Sequence, residues 1–258
     1  MNRIDKVFSK GKAFMPFITG GDPDLETTEK VLYALVSAGA DMIEIGVPFS
    51  DPIAEGPVIE AADERALRAG CTVDKLFELV ARVRADIKIP LLLMTYYNPV
   101  FAYGIGRFTE KCAVCGLDGL IVPDLPFEER DELLKPCLSR GLELISLIAP
   151  TSEERITNIA KNSSGFLYCV SSLGVTGERR ELGNSARSMI EQAKQVSDIP
   201  CAVGFGISTP EQAREMAAYS DGVIVGSAIV RIIAEHGRDC VEPVRRFATN
   251  IKEAILNA

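Results

Sequence analysis

A carboxylate stands where only apolar side chains are expected: Glu44, in the run Ala40-Asp41-Met42-Ile43-Glu44-Ile45-Gly46. Burying an ionised carboxylate without a partner is costly, so such a group is either paired or kept for the shifted pKa that burial gives it. A carboxyl with a raised pKa can hold and release a proton near neutral pH, the property that general acid/base catalysis needs. The structural alternative is a glutamate satisfied by a buried hydroxyl or backbone group. The segment that follows, Val47-Pro48-Phe49-Ser50-Asp51-Pro52-Ile53-Ala54-Glu55-Gly56-Pro57, carries two more carboxylates, Asp51 and Glu55, among three prolines. Proline fixes the backbone and preorganises whatever the loop presents. Asp51 and Glu55 read equally well as turn or helix-start residues, Glu55 just ahead of the helix that Pro57 opens.

Two glycine-bearing turns suggest an anion site: Gly204-Phe205-Gly206-Ile207-Ser208 and Gly226-Ser227-Ala228. Glycine lets a ligand approach the backbone, and free amides at a helix N-terminus suit a phosphate. Either turn alone is weak evidence; together they point to phosphate binding. A third segment, Ser171 to Gly183, holds three glycines, paired opposite charges and few apolar anchors. It reads as a lid that excludes water or as an ordinary solvated loop.

Other constellations are excluded or bland. The one histidine, His236, lies near a helix end, which removes a Ser-His-Asp triad. Cys112 and Cys115 form a Cys-x-x-Cys pair, yet no second pair or local histidine completes a metal site, so buried core thiols are expected and no metal. Seven cysteines without framework spacing imply reduced thiols, and the N-terminus lacks a signal-peptide core. No apolar run reaches the roughly 18 residues of a membrane span. The expectation is a cytoplasmic protein. A net charge of −8 with no basic run disfavours nucleic acid and anionic membranes as partners.

The elements that must position these residues are legible as an alternation. Eight short apolar runs, 14–19, 42–46, 90–96, 119–122, 142–148, 166–170, 201–204 and 222–225, are separated by amphipathic segments. Helices are predicted at 25–38, 57–68, 73–84, 107–115, 128–140, 186–196 and 241–256, several closed by glycine. Thr151 with Glu154, and Thr209 with Pro210 and Gln212, have the pattern of capping boxes opening two more. No linker or low-complexity stretch interrupts the chain. The fold class is therefore α/β, a single (β/α)8 TIM barrel with extra short helices, spanning residues 1–258 as one domain. Such a barrel carries its active site at the C-terminal ends of its strands, with phosphate commonly bound after strands seven and eight. If Ile43 and Ile45 pack outward, Glu44 points into the barrel.

At this point the residues match a family. Pro16-Phe17-Ile18-Thr19-Gly20-Gly21-Asp22-Pro23, Glu44 to Pro52, Tyr97-Asn98-Pro99, Gly174-Val175-Thr176-Gly177 and Gly204 to Ser208 occur in order over nearly the whole chain. In these blocks the chain resembles the α subunits of tryptophan synthase. The resemblance implies a lyase that splits indole-3-glycerol phosphate into indole and glyceraldehyde 3-phosphate by a retro-aldol reaction, without a cofactor of its own. It implies Glu44 as the general acid/base, Gly204, Gly206, Gly226 and Ser227 against the phosphate, and Phe17, Tyr168 and Phe205 bordering the substrate. Thr176 and Gly177 would belong to the closing loop. It also implies a β subunit that uses pyridoxal phosphate to join indole to serine, in an αββα assembly, with Pro48 and Asp51 in the loop that reports the partner's state.

One departure bears on catalysis. The family often has aspartate at the position of Glu55, where it accepts a hydrogen bond from the indole N–H. Glutamate keeps the charge and lengthens the arm by roughly 1.5 Å, and Glu55 is expected to keep the role through a small loop adjustment. Competing readings are a stand-alone lyase releasing free indole, another phosphate-binding barrel such as a sugar-phosphate isomerase or indole-3-glycerol phosphate synthase, and a noncatalytic subunit that activates its partner. The synthase would require a lysine acid, and no predicted strand contains lysine.

Overall fold

The short apolar runs form parallel strands β1 (Ala13–Thr19), β2 (Ile43–Gly46), β3 (Leu91–Met94), β4 (Gly119–Ile121), β5 (Glu143–Ile148), β6 (Leu167–Val170), β7 (Cys201–Gly204) and β8 (Gly222–Val225). Each pairs with the next, and β8 returns to β1 with Met15 opposite Ile224, closing the barrel. This computed structural model describes residues 2–150, 153–170, 179–204 and 206–258. A sheet closed on itself has no edge, so its strands need only helices outside and side chains inside. Ile43, Ile45, Leu91 and Leu93 pack outward against the helical layer. Met15, Met42, Leu92, Ile145, Tyr168 and Ile224 fill the interior. The expected alternation along 42–46 is what is found, with Glu44 on the inner face.

The helices are α1 (Arg3–Phe8), α2 (Leu25–Ser37), α3 (Pro57–Arg68), α4 (Val73–Val83), α5 (Tyr97–Tyr103), α6 (Ile105–Cys115), α7 (Asp131–Leu138), α8 (Glu153–Asn162), α9 (Arg179–Val196), α10 (Pro210–Ala217), α11 (Ser227–His236) and α12 (Val241–Leu256). The capping box of Thr209 and Gln212, with Pro210 in the first turn, opens α10 as expected. Among the described residues no helix is long and apolar enough to cross a membrane.

Several elements differ from the sequence expectation. The strand expected over 90–96 shortens to Leu91–Met94: Pro90 has no N–H to give and Tyr96 already caps α5. The segment expected at 128–140 divides into a 3-10 turn, Phe127–Glu129, and α7. Helix 186–196 is the C-terminal part of α9, which starts at Arg179 and so takes up the end of the segment read as a lid or loop. Residues 171–178, with Thr176 and Gly177, lie outside the described residues, as does Thr151 ahead of α8. Helices α1 and α5 are not expected from the sequence, and α11 is implied there only by the Gly226 turn and the helix end at His236. The first closes the barrel floor: Ile4 and Val7 join the interior, Phe8 stacks near Phe166 with ring centroids 5.6 Å apart, and Arg3 bonds Asp118 at 2.9 Å.

Candidate active site

Glu44 is buried, and neither carboxyl oxygen has a hydrogen-bond partner. The reading of a glutamate satisfied by a neighbouring hydroxyl or amide is thereby excluded. Burial alone pushes its carboxyl well above the usual carboxylate range. The phenol of Tyr168, also buried in the interior, is pushed up by burial and then by the charge of Glu44. Tyr168 lies over the end of β7: a methyl group on Gly204 would stand 2.7 Å from its hydroxyl oxygen, so only glycine admits the ring there.

Phe17 pairs in register with Glu44 on the neighbouring strand. Its ring fills the space beside Gly46, where a methyl group would lie 2.6 Å from Cζ. It also packs with Ala62 of α3 and Val230 of α11, tying two helices to the strand that flanks the acid. The α11 turn is the one sequence reasoning read as a phosphate cradle. Gly226 caps it, Ile229 and Val230 donate their amides to the Gly226 carbonyl, and Ser227 is exposed at its first position. The amides of Ser227 and Ala228 are the ones a helix start leaves without an intrahelical acceptor. Gly206 has φ +77 with open space around it, while Phe205 lies outside the described residues. The two glycine turns therefore meet at the C-terminal rim, on adjacent strands β7 and β8.

The loop from β2 to α3 is fastened at several points. Val47 donates to the Met94 carbonyl at 2.8 Å, Ala54 to the Tyr96 hydroxyl at 2.9 Å, and Phe49 to Asp63 Oδ2 at 3.4 Å. Pro48 is buried, whereas Asp51 is exposed and bonded by Ser50. Glu55 is half-buried, and its Oε2 is enclosed with no group donating to it. Burial, then the neighbouring Asp63, raises its pKa; Asp63 is itself raised, chiefly by burial. Each neighbouring carboxyl makes ionisation of the other harder. Asp63, Tyr96 and Asp22 escaped the sequence reading. A signal existed for Asp63: the buried positions of α3 are Ala62, Asp63 and Ala66, so helical periodicity puts an aspartate on the apolar face.

Asp22 anchors this side of the rim. It is almost fully buried and accepts two bonds of 2.8 Å from Arg65 of α3, one to each carboxylate oxygen. Away from the rim, Cys112 and Cys115 are buried in α6, and burial pushes the Cys115 thiol up to about 11. A raised thiol is unreactive, in keeping with the core reading. No group of His, Cys, Asp and Glu able to hold a metal occurs among the described residues. His236 is exposed in the last turn of α11.

Comparison with known proteins places these features in a family. A family model described as tryptophan synthase alpha chain matches residues 5–256. The chain is 45% identical to the tryptophan synthase alpha chain of Lacticaseibacillus casei over 99% of its own length and 96% of that protein's. It is 50% identical to that of Synechocystis sp. over 94% of this chain and 93% of the relative. The crystal structure of tryptophan synthase subunit alpha from Legionella pneumophila superposes with a TM-score of 0.91 at 39% identity, covering all of both chains. An aminoacrylate-bound form of tryptophan synthase from M. tuberculosis matches with a TM-score of 0.89 at 33% identity, over 99% of this chain and 100% of that one.

Proposed function

The chain belongs to the tryptophan synthase alpha chain family, and from that premise we propose which of its residues carry the chemistry. The family's reaction is the lyase cleavage of indole-3-glycerol phosphate to indole and glyceraldehyde 3-phosphate, indole being passed to a β subunit for tryptophan synthesis. The bond to be broken joins indole C3 to the glycerol chain. A proton must reach C3, turning that carbon into a leaving group, and the adjacent hydroxyl must lose one as it becomes an aldehyde.

Glu44 is our general acid/base. As the neutral acid it delivers a proton toward C3; as the resulting carboxylate it takes the hydroxyl proton while the C–C bond breaks, and it ends in its starting state. The observation that carries this reading is its buried, unpartnered carboxyl on the inner face of β2, facing the Tyr168 phenol. Phe17 and Tyr168 border the indole, and Phe205 with them. The phosphate lies against Gly204, Gly206, Gly226 and Ser227, supported by the free amides of α11 and the open surroundings of Gly206. Thr176 and Gly177, which lie outside the described residues, complete the proposed set of substrate-binding residues. Glu55 accepts the indole N–H, stabilising the positive charge that builds on the ring as C3 is protonated.

We further propose that residues 1–258 act as one domain in the cytoplasm, within an αββα assembly whose β subunits hold pyridoxal phosphate. Asp51 lies on the exposed side of the β2 loop, available to the partner, while buried Pro48 acts through the shape it gives that loop. The test is indole release from indole-3-glycerol phosphate, with and without a β subunit. Glu55→Ala should lower cleavage on a scale comparable with Glu44→Gln; cleavage near the wild-type rate would remove Glu55 from the mechanism. An unchanged rate on adding the β subunit, with no co-elution, would make this a stand-alone lyase.

A further inference from the structure

The side chain of Gln212 does more than close the first turn of α10. Its Oε1 accepts the amide of Ser208 at 2.8 Å, the hydroxyl of Ser208 at 3.0 Å and the amide of Thr209 at 3.2 Å. Two of these donors are backbone N–H groups, so the oxygen of the Gln212 amide, and not its nitrogen, must face them. In a capping box the side chain at this position serves the amide of the N-cap residue, here Thr209, whose own Oγ1 receives the Gln212 amide at 3.3 Å. The two bonds to Ser208 lie outside the helix, and no cap requires them. They reach back toward β7, into the turn that carries Gly206. Ile207, between that glycine and Ser208, is buried in the core, so residues 207–209 are held from two sides. Gly206 itself is exposed, at φ +77, with open space where a side chain would begin.

We propose that Gln212 is a positioning residue for the phosphate turn: a neutral acceptor that fixes residues 207–209 from behind and so keeps Gly206 open to the phosphate. The inference rests on the reading that the phosphate lies against Gly206. A glycine in a free loop visits many conformations, and ordering it on binding costs affinity; a turn that is already fixed avoids that cost. The residue type follows from the ligand. Glutamate serves the same cap equally well, and its carboxylate accepts such donors more strongly. It also sets a negative charge, turned toward the loop, next to an anionic phosphate. Glutamine gives the oxygen without the charge. Glu211, the carboxylate beside it on α10, is exposed and screened by water.

Two substitutions separate the fixing of the turn from its charge. Gln212→Leu removes the acceptor; Gln212→Glu keeps it and adds the charge. Calorimetric binding of glycerol 3-phosphate to the full chain reads the phosphate turn, and binding of indole, which has no phosphate, reads the rest of the pocket. Both variants should bind glycerol 3-phosphate about tenfold more weakly, through lost order in one and repulsion in the other, and indole within about twofold of the wild type. In cleavage, the KM for indole-3-glycerol phosphate should rise in both while kcat stays within about twofold, the mark of a contact made equally before and during the reaction. The melting temperature should fall in Gln212→Leu and hold in Gln212→Glu, and the deficit of Gln212→Glu relative to the wild type should narrow at high salt. A residue that only caps α10 gives a different result: Gln212→Glu then matches the wild type in affinity as well as in melting, which overturns the proposal. Wild-type affinity in Gln212→Leu overturns it too, as does an equal loss of indole binding, which would mean general damage to the site. Should Gln212→Leu fail to fold, Gln212→Glu and its salt dependence decide the question alone. Ser227→Asp tests the underlying reading, since it places a charge at the start of α11. Unchanged glycerol 3-phosphate affinity in Ser227→Asp removes the phosphate from this rim; weakened affinity there, with wild-type binding by the Gln212 variants, removes only the role of Gln212.

Discussion

The chemistry proposed for Glu44 depends on a burial that ought to cost stability, and the two effects can be separated by one substitution. Glu44→Gln keeps the volume and removes the exchangeable proton. Loss of general acid/base catalysis is typically worth about 10² to 10⁴ in rate, so indole release should drop by at least that range. Stability should move the other way. The folded-state pKa of Glu44 is raised, by burial, above its unfolded value. The native state therefore holds a proton that the unfolded chain has already released, and stability declines as pH rises from the ordinary glutamate value toward the folded one. The melting temperature of Glu44→Gln should exceed that of the wild type at pH 8 by more than it does at pH 4, each kcal/mol being worth about 2 to 4 °C in a chain of this size. Equal differences at both pH values would mean that the carboxyl finds a partner in solution.

Among the elements, α3 bears most on the site, because the loop that leads into it carries Glu55 and its second turn Asp63. What fixes it is the Asp22–Arg65 pair, with Asp22 enclosed and the Arg65 side chain about a third exposed. Arg65→Leu leaves Asp22 buried without its cation. Breaking such a pair costs about 3 kcal/mol, the low end of the usual range since Arg65 retains some solvent. Urea unfolding should read that loss, and cleavage should fall with it as α3 shifts. Unchanged activity in a destabilised variant would mean that the β2 loop holds Glu55 without α3. This helix also marks the limit of what the sequence made legible. The strands could be read because each is a short apolar run, and Glu44 because it breaks one. Helix α3 was placed by Pro57 and its closing glycine. The bond from the Phe49 amide to Asp63 could not be read, because it depends on the path of the loop ahead of α3, and loop path leaves no periodic trace. Helix α11 was left without bounds for a related reason: the apolar Ala228-Ile229-Val230 start of α11 continues the pattern of the strand before it.

At the scale of the molecule, two large apolar side chains stand exposed on segments at the catalytic rim. Ile53 is 80% exposed in the β2 loop, and Phe101 is 63% exposed on α5, after the adjacent strand β3. These two segments are joined through the Tyr96 hydroxyl, which receives the Ala54 amide. An exposed apolar side chain held on a fastened loop is suited to burial by another protein. The family pairs its α chain with a β subunit, and Ile53 sits between Asp51 and Glu55. Contact there would bear directly on the loop that carries Glu55. Ile53→Asp and Phe101→Asp should each weaken α–β association by about 10- to 30-fold, as expected for a central apolar anchor, and should leave cleavage by the isolated chain unchanged. Ile53→Asp should in addition blunt the rate increase at saturating β subunit, since it alters the segment through which the contact reaches Glu55, whereas Phe101→Asp should weaken binding alone. Titration of each variant with β subunit separates the two effects. If both saturate at the wild-type concentration and rate, the partner docks elsewhere on the barrel and the exposed rim has another use.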